Sequence, residues 1–267
     1  MIYEPSDHTF VVCAYGESPY LRYCLDSVCN QNICSHVIVS TSTPNSYIAE
    51  LCDEFSVECF ENAGAPGIGK DWNRALSHVE TPLATIAHQD DVYLPEYAES
   101  LLDCFNRSKV PLIYFCAYGE IRGNEIIDYS PLLNIKRFML SPLKNPKHWK
   151  SVGLRRLILS FGSPISCPSV SYNLERMHLP LFNEEMKCSL DWDAWERISM
   201  LRGDFVYDST VRMRHRIHPG SETSHLIEDS TRTNEDYEMM CRFWPRALAG
   251  CMNRLYSLSQ KSNSISK

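Results

Sequence analysis

The feature that most constrains this chain is an alternation. Through its first half, short β-rich apolar runs take turns with stretches whose apolar residues repeat at helical spacing. Thr9 to Tyr15 (TFVVCAY), Val37 to Thr41, Val57 to Phe60, Leu83 to Ala87 and Pro111 to Tyr118 read as strands. Between them, Leu21, Cys24, Leu25 and Val28 mark one amphipathic helix, and Ile48, Leu51, Cys52 and Phe55 a second. Trp72, Ala75, Leu76 and Val79 mark a third, and Ala98, Leu101 and Phe105 a fourth. Ser18 is a candidate cap for the first helix, with Pro19 at its first position; Asn45 is the cap for the second, and Pro95 starts the fourth. Strands and helices alternating through short connections predict an α/β fold, a mainly parallel sheet covered by helices on both faces. Such sheets bind ligands at the C-terminal ends of their strands. The loops after Tyr15, Thr41 and Ala87 are therefore expected on one rim.

That rim carries IAHQDDVYLPE, Ile86 to Glu96, with Asp90 and Asp91 adjacent where a buried strand ends. Two ionised carboxylates in contact repel unless a divalent cation, or hydroxyl and amide donors, takes up the charge. Mg²⁺ or Mn²⁺ prefers hard oxygen ligands and shares them with substrate phosphates. The plainer alternative is a cap for the helix that follows. In SLDWDAW, Ser189 to Trp195, Asp191 can act as a general base beside a substrate hydroxyl, and the tryptophans suit a sugar ring. The alternative there is a helix start with acids favouring the dipole and tryptophans packing inward. RHRIHPGSETS, Arg214 to Ser224, can serve a diphosphate or a metal, or be an ordinary turn after a basic strand. NAGAPGIGKDWNRAL, Asn62 to Leu76, is glycine-rich without matching a standard nucleotide loop.

A net charge of -7 argues against a nucleic-acid partner. Against that background, Asp128 to Glu175 encloses a span with no acid but with Lys136, Arg137, Lys144, Lys147, Lys150, Arg155 and Arg156. It reads as solvated surface for most of these residues, or as an electropositive wall for phosphates or anionic lipid. The 12 cysteines fall mostly within apolar periodic segments and are expected to be reduced and structural; Cys24, Cys29 and Cys34 do not match a zinc pattern. No apolar run reaches membrane-spanning length and no secretory signal opens the chain, so cytoplasmic residence is the expectation. Met239 to Leu258 is expected to form one amphipathic helix, which either lies on a membrane or packs against its own domain or a dimer partner. The tail QKSNSISK is expected to be disordered.

Taken in order, AYGESPYLRYCLDSVCNQ, VIVSTSTPN, the NxG with WNRAL, HQDD, SPISCPSVSYN, LDWDAW and HRIHPGSETS make the chain similar to family 2 glycosyltransferases of the GT-A type, from about Thr9 to Ser224. The resemblance implies a Rossmann-like fold for nucleotide-diphospho-sugars. It also implies a Mn²⁺ or Mg²⁺ cofactor and inverting transfer of a sugar from a nucleotide-sugar donor to a sugar or lipid-linked acceptor hydroxyl, as in surface polysaccharide or glycolipid synthesis. It implies a GT-A domain over 1–225, with a nucleotide-sugar half over about 1–125 and an acceptor half over about 126–225. A C-terminal helical extension with a flexible tail follows over 226–267.

By the same resemblance, Ala14, Tyr15, Glu17, Thr41, Ser42 and Thr43 line the nucleotide pocket, and Asn73, His88 and Asp90 join the donor set. Asp90, Asp91 and His218 hold metal, with His215 as the rival of His218. Asp191 is the catalytic base, with Trp192 and Asp193 on the acceptor side. Three departures stand out. Hydroxyls replace the usual aspartate in STSTPN, His88 occupies the first position of the DXD-like motif, and Leu190 replaces an acid before Asp191. The alternatives are a catalytically inactive nucleotide-sugar-binding relative and a sugar-nucleotide nucleotidyltransferase. The second is disfavoured because AYGESPY has one glycine and no lysine.

Overall fold

A computed structural model describes residues 2–218 and 230–261. Nine strands form one sheet: β1 (His8–Ala14), β2 (His36–Thr41), β3 (Glu58–Glu61), β4 (Leu83–His88), β5 (Val92–Tyr93), β6 (Pro111–Arg122), β7 (Glu125–Ile127), β8 (Val170–Asn173) and β9 (Asp204–Ile217). Their spatial order is β3-β2-β1-β4-β8-β6-β9-β5, with β7 beside β6. β1 to β4 are mutually parallel, as the alternation predicted. β8 enters antiparallel between β4 and β6, and β5 and β7 are also reversed. β6 and β9 run with β1 to β4, so the sheet is mixed but mainly parallel.

The helices are α1 (Leu21–Cys29), α2 (Ser46–Phe55), α3 (Ile68–Ser77), α4 (Tyr97–Arg107), α5 (Pro131–Leu140), α6 (Val152–Leu159), α7 (Leu190–Ser199), α8 (Ser230–Cys241) and α9 (Arg246–Lys261). Each of the first four buries the face read from its period, for example Leu21, Cys24, Leu25 and Val28 of α1. Asn45 caps α2 as expected, its side chain accepting the Ile48 N–H at 2.9 Å. Ser18 does not cap α1, which starts three residues later. Its hydroxyl instead donates to Asp90 Oδ1 at 2.9 Å, a long-range bond that local capping rules do not see.

Three other expectations change. β6 runs to Arg122, and the basic strand offered as the plainer reading before the RHRIHPG turn is the 14-residue β9, paired along β6. Within the basic span, Lys144, Lys147 and Lys150 are exposed, but Arg155 is 1% exposed. Its guanidinium donates to the carbonyls of Ser199, Gly203 and Leu201 and lies over the Phe205 ring, which closes the turn between α7 and β9. Arg156 meets Glu196 at 2.6 Å, so this part of the span is packing and not an outward wall.

The C-terminal segment is two helices and not one, because Pro245 has no N–H to continue the first. Phe243, Trp244, Met252 and Tyr256 pack on the core, and the Trp244 indole N–H donates to the Ser160 carbonyl at 2.8 Å. That apolar face meets its own domain. Leu248 and Leu255 stay exposed. No described helix is long and apolar enough to cross a membrane. Among the described residues no cysteine forms a disulfide. The boundary expected at 225, the GSETS loop and residues 262–267 of the tail lie outside the described residues.

Candidate active site

The parallel register sets the rim. Ala14 pairs with Thr41 across β1 and β2, and Cys13 pairs with His88 across β1 and β4. The three loops expected together therefore leave the sheet side by side. Side chains then lace them. Thr43 Oγ1 accepts the Gly16 N–H at 2.7 Å. The Gln89 amide accepts from Tyr15 N–H at 2.9 Å and donates to Tyr15 O at 3.1 Å, like one rung of a β-ladder. Tyr15 and Glu17 are exposed, Ala14 and Thr41 are buried, and the Ser42 hydroxyl is buried with no hydrogen-bond partner. Ala14, Tyr15, Glu17 and Thr41 to Thr43 thus share one edge, where a flat ring would meet small residues and hydroxyls.

The two aspartates are separated by the strand that follows them. β5 begins at Val92 and pairs antiparallel with β9, Val92 opposite Arg214. This brings His215 and Arg216 onto Asp91. Asp91 is fully buried; its Oδ1 takes His215 Nδ1 and the Arg216 N–H, both at 2.9 Å. Burial pushes the Asp91 carboxyl up, but the His215 charge and hydrogen bond, His88 and the Arg216 amide together hold it below the usual range. Burial pulls the His215 imidazole down, and the Asp91 carboxylate outweighs it, so the net direction is up.

Asp90 points the other way. It receives the Ser18 hydroxyl, and its Oδ2 lies 3.2 Å from His218 Nε2, while its carbonyl accepts Arg216 Nε–H. The Tyr20 ring lies tilted beside His218, with ring centres 4.8 Å apart, and the Arg216 guanidinium lies 4.5 Å from the Tyr20 ring. His88 lies flat on Trp72 with its Nδ1 3.8 Å from Asp91 Oδ2. Burial lowers its pKa against the pull of Asp91. His88 Nε2 and Asp91 Oδ2 are buried without hydrogen-bond partners.

The donors fit a hard divalent ion on two protein ligands. Adjacent ligands on an octahedral ion with bonds of about 2.1 Å stand about 3 Å apart, close to the Asp90–His218 spacing. Among the described residues, no group of three or more His, Cys, Asp or Glu forms a ready-made cage. Mg²⁺-type sites commonly complete their shell with substrate phosphate and water. The expectation that Asp91 joins Asp90 and His218 as a ligand is not met in the geometry, because Asp91 faces His215 and His88. The rivalry between the histidines divides the same way, His218 to Asp90 and His215 to Asp91.

Asp191 lies in the first turn of α7 and accepts the Trp192 N–H at 2.7 Å. Burial raises its carboxyl to about 6, against the Trp192 amide, Arg232 and Lys136 and with Asp236 adding to the rise. The thiol of Cys167 is pushed up by burial and then by Asp191. Cys167 opens the turn before β8, and the antiparallel pairing of β8 with β4 sets that turn beside the C-terminal end of β4. Lys136, also close to Asp191, donates to the Tyr118 hydroxyl at 2.7 Å.

Three expected ligands are structural instead. Trp192 is 1% exposed, with its indole N–H on the Leu159 carbonyl and its ring against Phe243, so no sugar can stack on it. Asp193 is buried between Arg197 at 2.8 Å and Arg242 at 2.7 Å. Asn73 is buried and holds Phe182 by both its amide N–H and its carbonyl, at 2.9 Å each. For Trp192 the inward-packing alternative was the available signal; Asp193 and Asn73 lie off the apolar stripes of their helices, so no local signal marked them as buried. Ser18, Gln89 and Arg216 were missed as site residues. Each lies in a quoted motif, Ser18 in AYGESPY, Gln89 in HQDD and Arg216 in RHRIHPG, but nothing local gave its partner.

Comparison with known proteins agrees with this geometry. Residues 9–157, more than half of the chain, match the sequence profile of Glycosyl transferase family 2. No curated protein sequence matches. Among solved structures, S. aureus TarS 1-349 in complex with UDP-GlcNAc is 14% identical, with 92% of this chain and 70% of that one covered and a TM-score of 0.58. Full-length S. aureus TarS covers 97% of this chain but only 44% of itself, with a TM-score of 0.55 and 14% identity. The mannosyltransferase PcManGT from Pyrobaculum calidifontis, in complex with GDP-Man and Mn²⁺, is 14% identical, with 99% and 79% coverage and a TM-score of 0.60. At such identities the likeness is one of fold, and the family rests on the profile. Strand order, rim and profile agree that this chain belongs to glycosyl transferase family 2 and is a GT-A glycosyltransferase.

Proposed function

We propose that this chain transfers a sugar from a nucleotide-diphosphate donor to an acceptor hydroxyl with inversion, using Asp191 as the general base. The observation that carries the reading is the Asp191 carboxyl in the first turn of α7, raised by burial to about 6. A base is most effective when its pKa is near the working pH. The similar structures TarS and PcManGT are in complex with UDP-GlcNAc and with GDP-Man, which supports a nucleotide-sugar donor.

The rim from Ala14 to Glu17 and from Thr41 to Thr43 receives the nucleotide, with His88 flat beneath it on Trp72. Asp90 and His218 are the residues that would hold Mn²⁺ or Mg²⁺, which when bound neutralises charge on the departing diphosphate. Asp191 accepts the acceptor hydroxyl's proton as that oxygen bonds to the anomeric carbon. The bond from that carbon to the diphosphate breaks on the opposite face. One displacement inverts the centre, and the base contributes about 10²–10⁴-fold.

Thermal shift against UDP- and GDP-sugars, with and without Mn²⁺, identifies the donor. Asp191→Asn should then keep donor binding and lose most turnover; full turnover in that variant would overturn the base assignment. Asp90→Ala should lose the Mn²⁺-dependent part of the donor shift. Binding without turnover in the unmutated protein would instead favour the inactive relative. Exposed Ile135, Phe138, Leu248 and Leu255 support a peripheral cytoplasmic-membrane location near a lipid-linked acceptor. Liposome sedimentation tests it, with a dimer in solution as the competing outcome.

A further inference from the structure

We infer that the C-terminal helix α8 is part of the catalytic unit, with Glu235 and Asp236 as positioning residues for the base. This rests on the reading of Asp191 as that base.

The geometry is specific. The segment before α7 has consecutive backbone N–H groups at Lys187, Cys188 and Ser189. All three donate to the Glu235 carboxylate, at 2.8, 2.8 and 2.9 Å. Ser189 is the N-cap residue of α7, yet its side chain does not cap its own helix. It donates instead to Asp236 Oδ1 at 2.7 Å. The segment that leads into α7 is therefore held from outside, by two acids on another helix. Asp191 follows Ser189 by two residues, in the first turn just past the segment that these bonds fix.

The grip continues along α7. Arg242, just past α8, meets Asp193 at 2.7 Å and Glu196 at 3.5 Å. Phe243 lies parallel to Trp192 at 6.5 Å. Trp192 is the residue whose N–H binds Asp191, so its ring and its amide connect the extension to the base.

Charge-assisted bonds to a carboxylate are stronger than neutral ones and fix direction as well as distance. Proton transfer needs the base within about 3 Å of the hydroxyl that it deprotonates. A misplacement of about 1 Å can lower a rate about 10²-fold. Glu235 touches neither donor nor acceptor in this account. It acts by holding the amides that set where Asp191 points.

The test is a double-mutant cycle. Glu235→Gln, Asp191→Asn and the double variant are compared in the full chain, with the nucleotide-sugar that gives the largest thermal shift. Turnover is read as nucleotide release, donor affinity by calorimetry, and the Lys187 to Ser189 amides by hydrogen exchange. Glu235→Gln should lower kcat by about tenfold to a hundredfold with donor affinity unchanged. Those amides should exchange faster. In the Asp191→Asn background the same change should lower residual turnover no further. Glu235→Asp, which keeps the charge but shortens its reach by one methylene, covers the case in which the glutamine variant does not fold and should fall between.

Unchanged kcat in the Glu235 variants, with Asp191→Asn inactive, overturns this inference alone. An equal loss in both backgrounds also overturns it, since a purely structural role would act regardless of the base. Full activity in Asp191→Asn overturns the underlying assignment instead.

Discussion

Lowering the pH should silence Asp191 in a range where an ordinary aspartate would still be ionised. Its carboxyl is raised from 3.8 to about 6, chiefly by burial. A carboxyl at about 6 is roughly nine-tenths ionised at pH 7 and roughly one-tenth ionised at pH 5. An unshifted aspartate stays more than about nine-tenths ionised over that range. The ratio kcat/KM for the acceptor reports ionisations of the free enzyme, which is the state described here. It should fall about tenfold between pH 7 and pH 5, then about tenfold for each further unit.

The neighbours give the direction of two controls. Asp236 adds to the rise and Lys136 opposes it. Asp236→Asn should move the acid limb to lower pH, and Lys136→Met should move it higher. Stability follows the same shift. The folded pKa exceeds the unfolded one, so this group's contribution is fully present below about pH 4 and is lost as pH rises through about 6. The assay is a pH–rate profile for each protein, taken where circular dichroism shows native structure. A limb at about pH 4 would refute the reasoning, as would two controls that move it the same way.

Other outcomes follow from packing. Arg155→Met leaves three carbonyls at the α7–β9 turn without their donor and should destabilise the fold by about 3–5 kcal/mol in urea melts. Trp192→Ala should lower stability by about 3–5 kcal/mol and leave the acceptor KM of the folded protein unchanged, because its indole packs inside. Thr43→Val removes the acceptor for the Gly16 N–H. It should weaken donor binding several-fold by calorimetry while shifting the melting temperature little, since Thr43 joins two loops at the rim and lies outside the core.

The sequence by itself determined the first half of the fold. Apolar period and β-rich runs specify β1 to β4 and α1 to α4, because those signals are local and burial enforces them. The parallel sheet follows from the alternation, and with it the rim on which Tyr15, Thr41 and Asp90 meet. Tertiary structure decided how the two aspartates divide. They are adjacent in sequence and chemically identical, yet β9 arrives more than a hundred residues later and delivers His215 to one and, just beyond, His218 to the other. Nothing local to HQDD encodes that pairing. The same limit explains Trp192, Asp193 and Asn73, whose residue types suit ligands but whose partners are distant side chains and carbonyls. It explains Arg155 too, a charged residue in a basic run that three carbonyls draw into the core. Local sequence sets which face of an element is apolar, while long-range hydrogen bonds set which polar groups on it stay free to act.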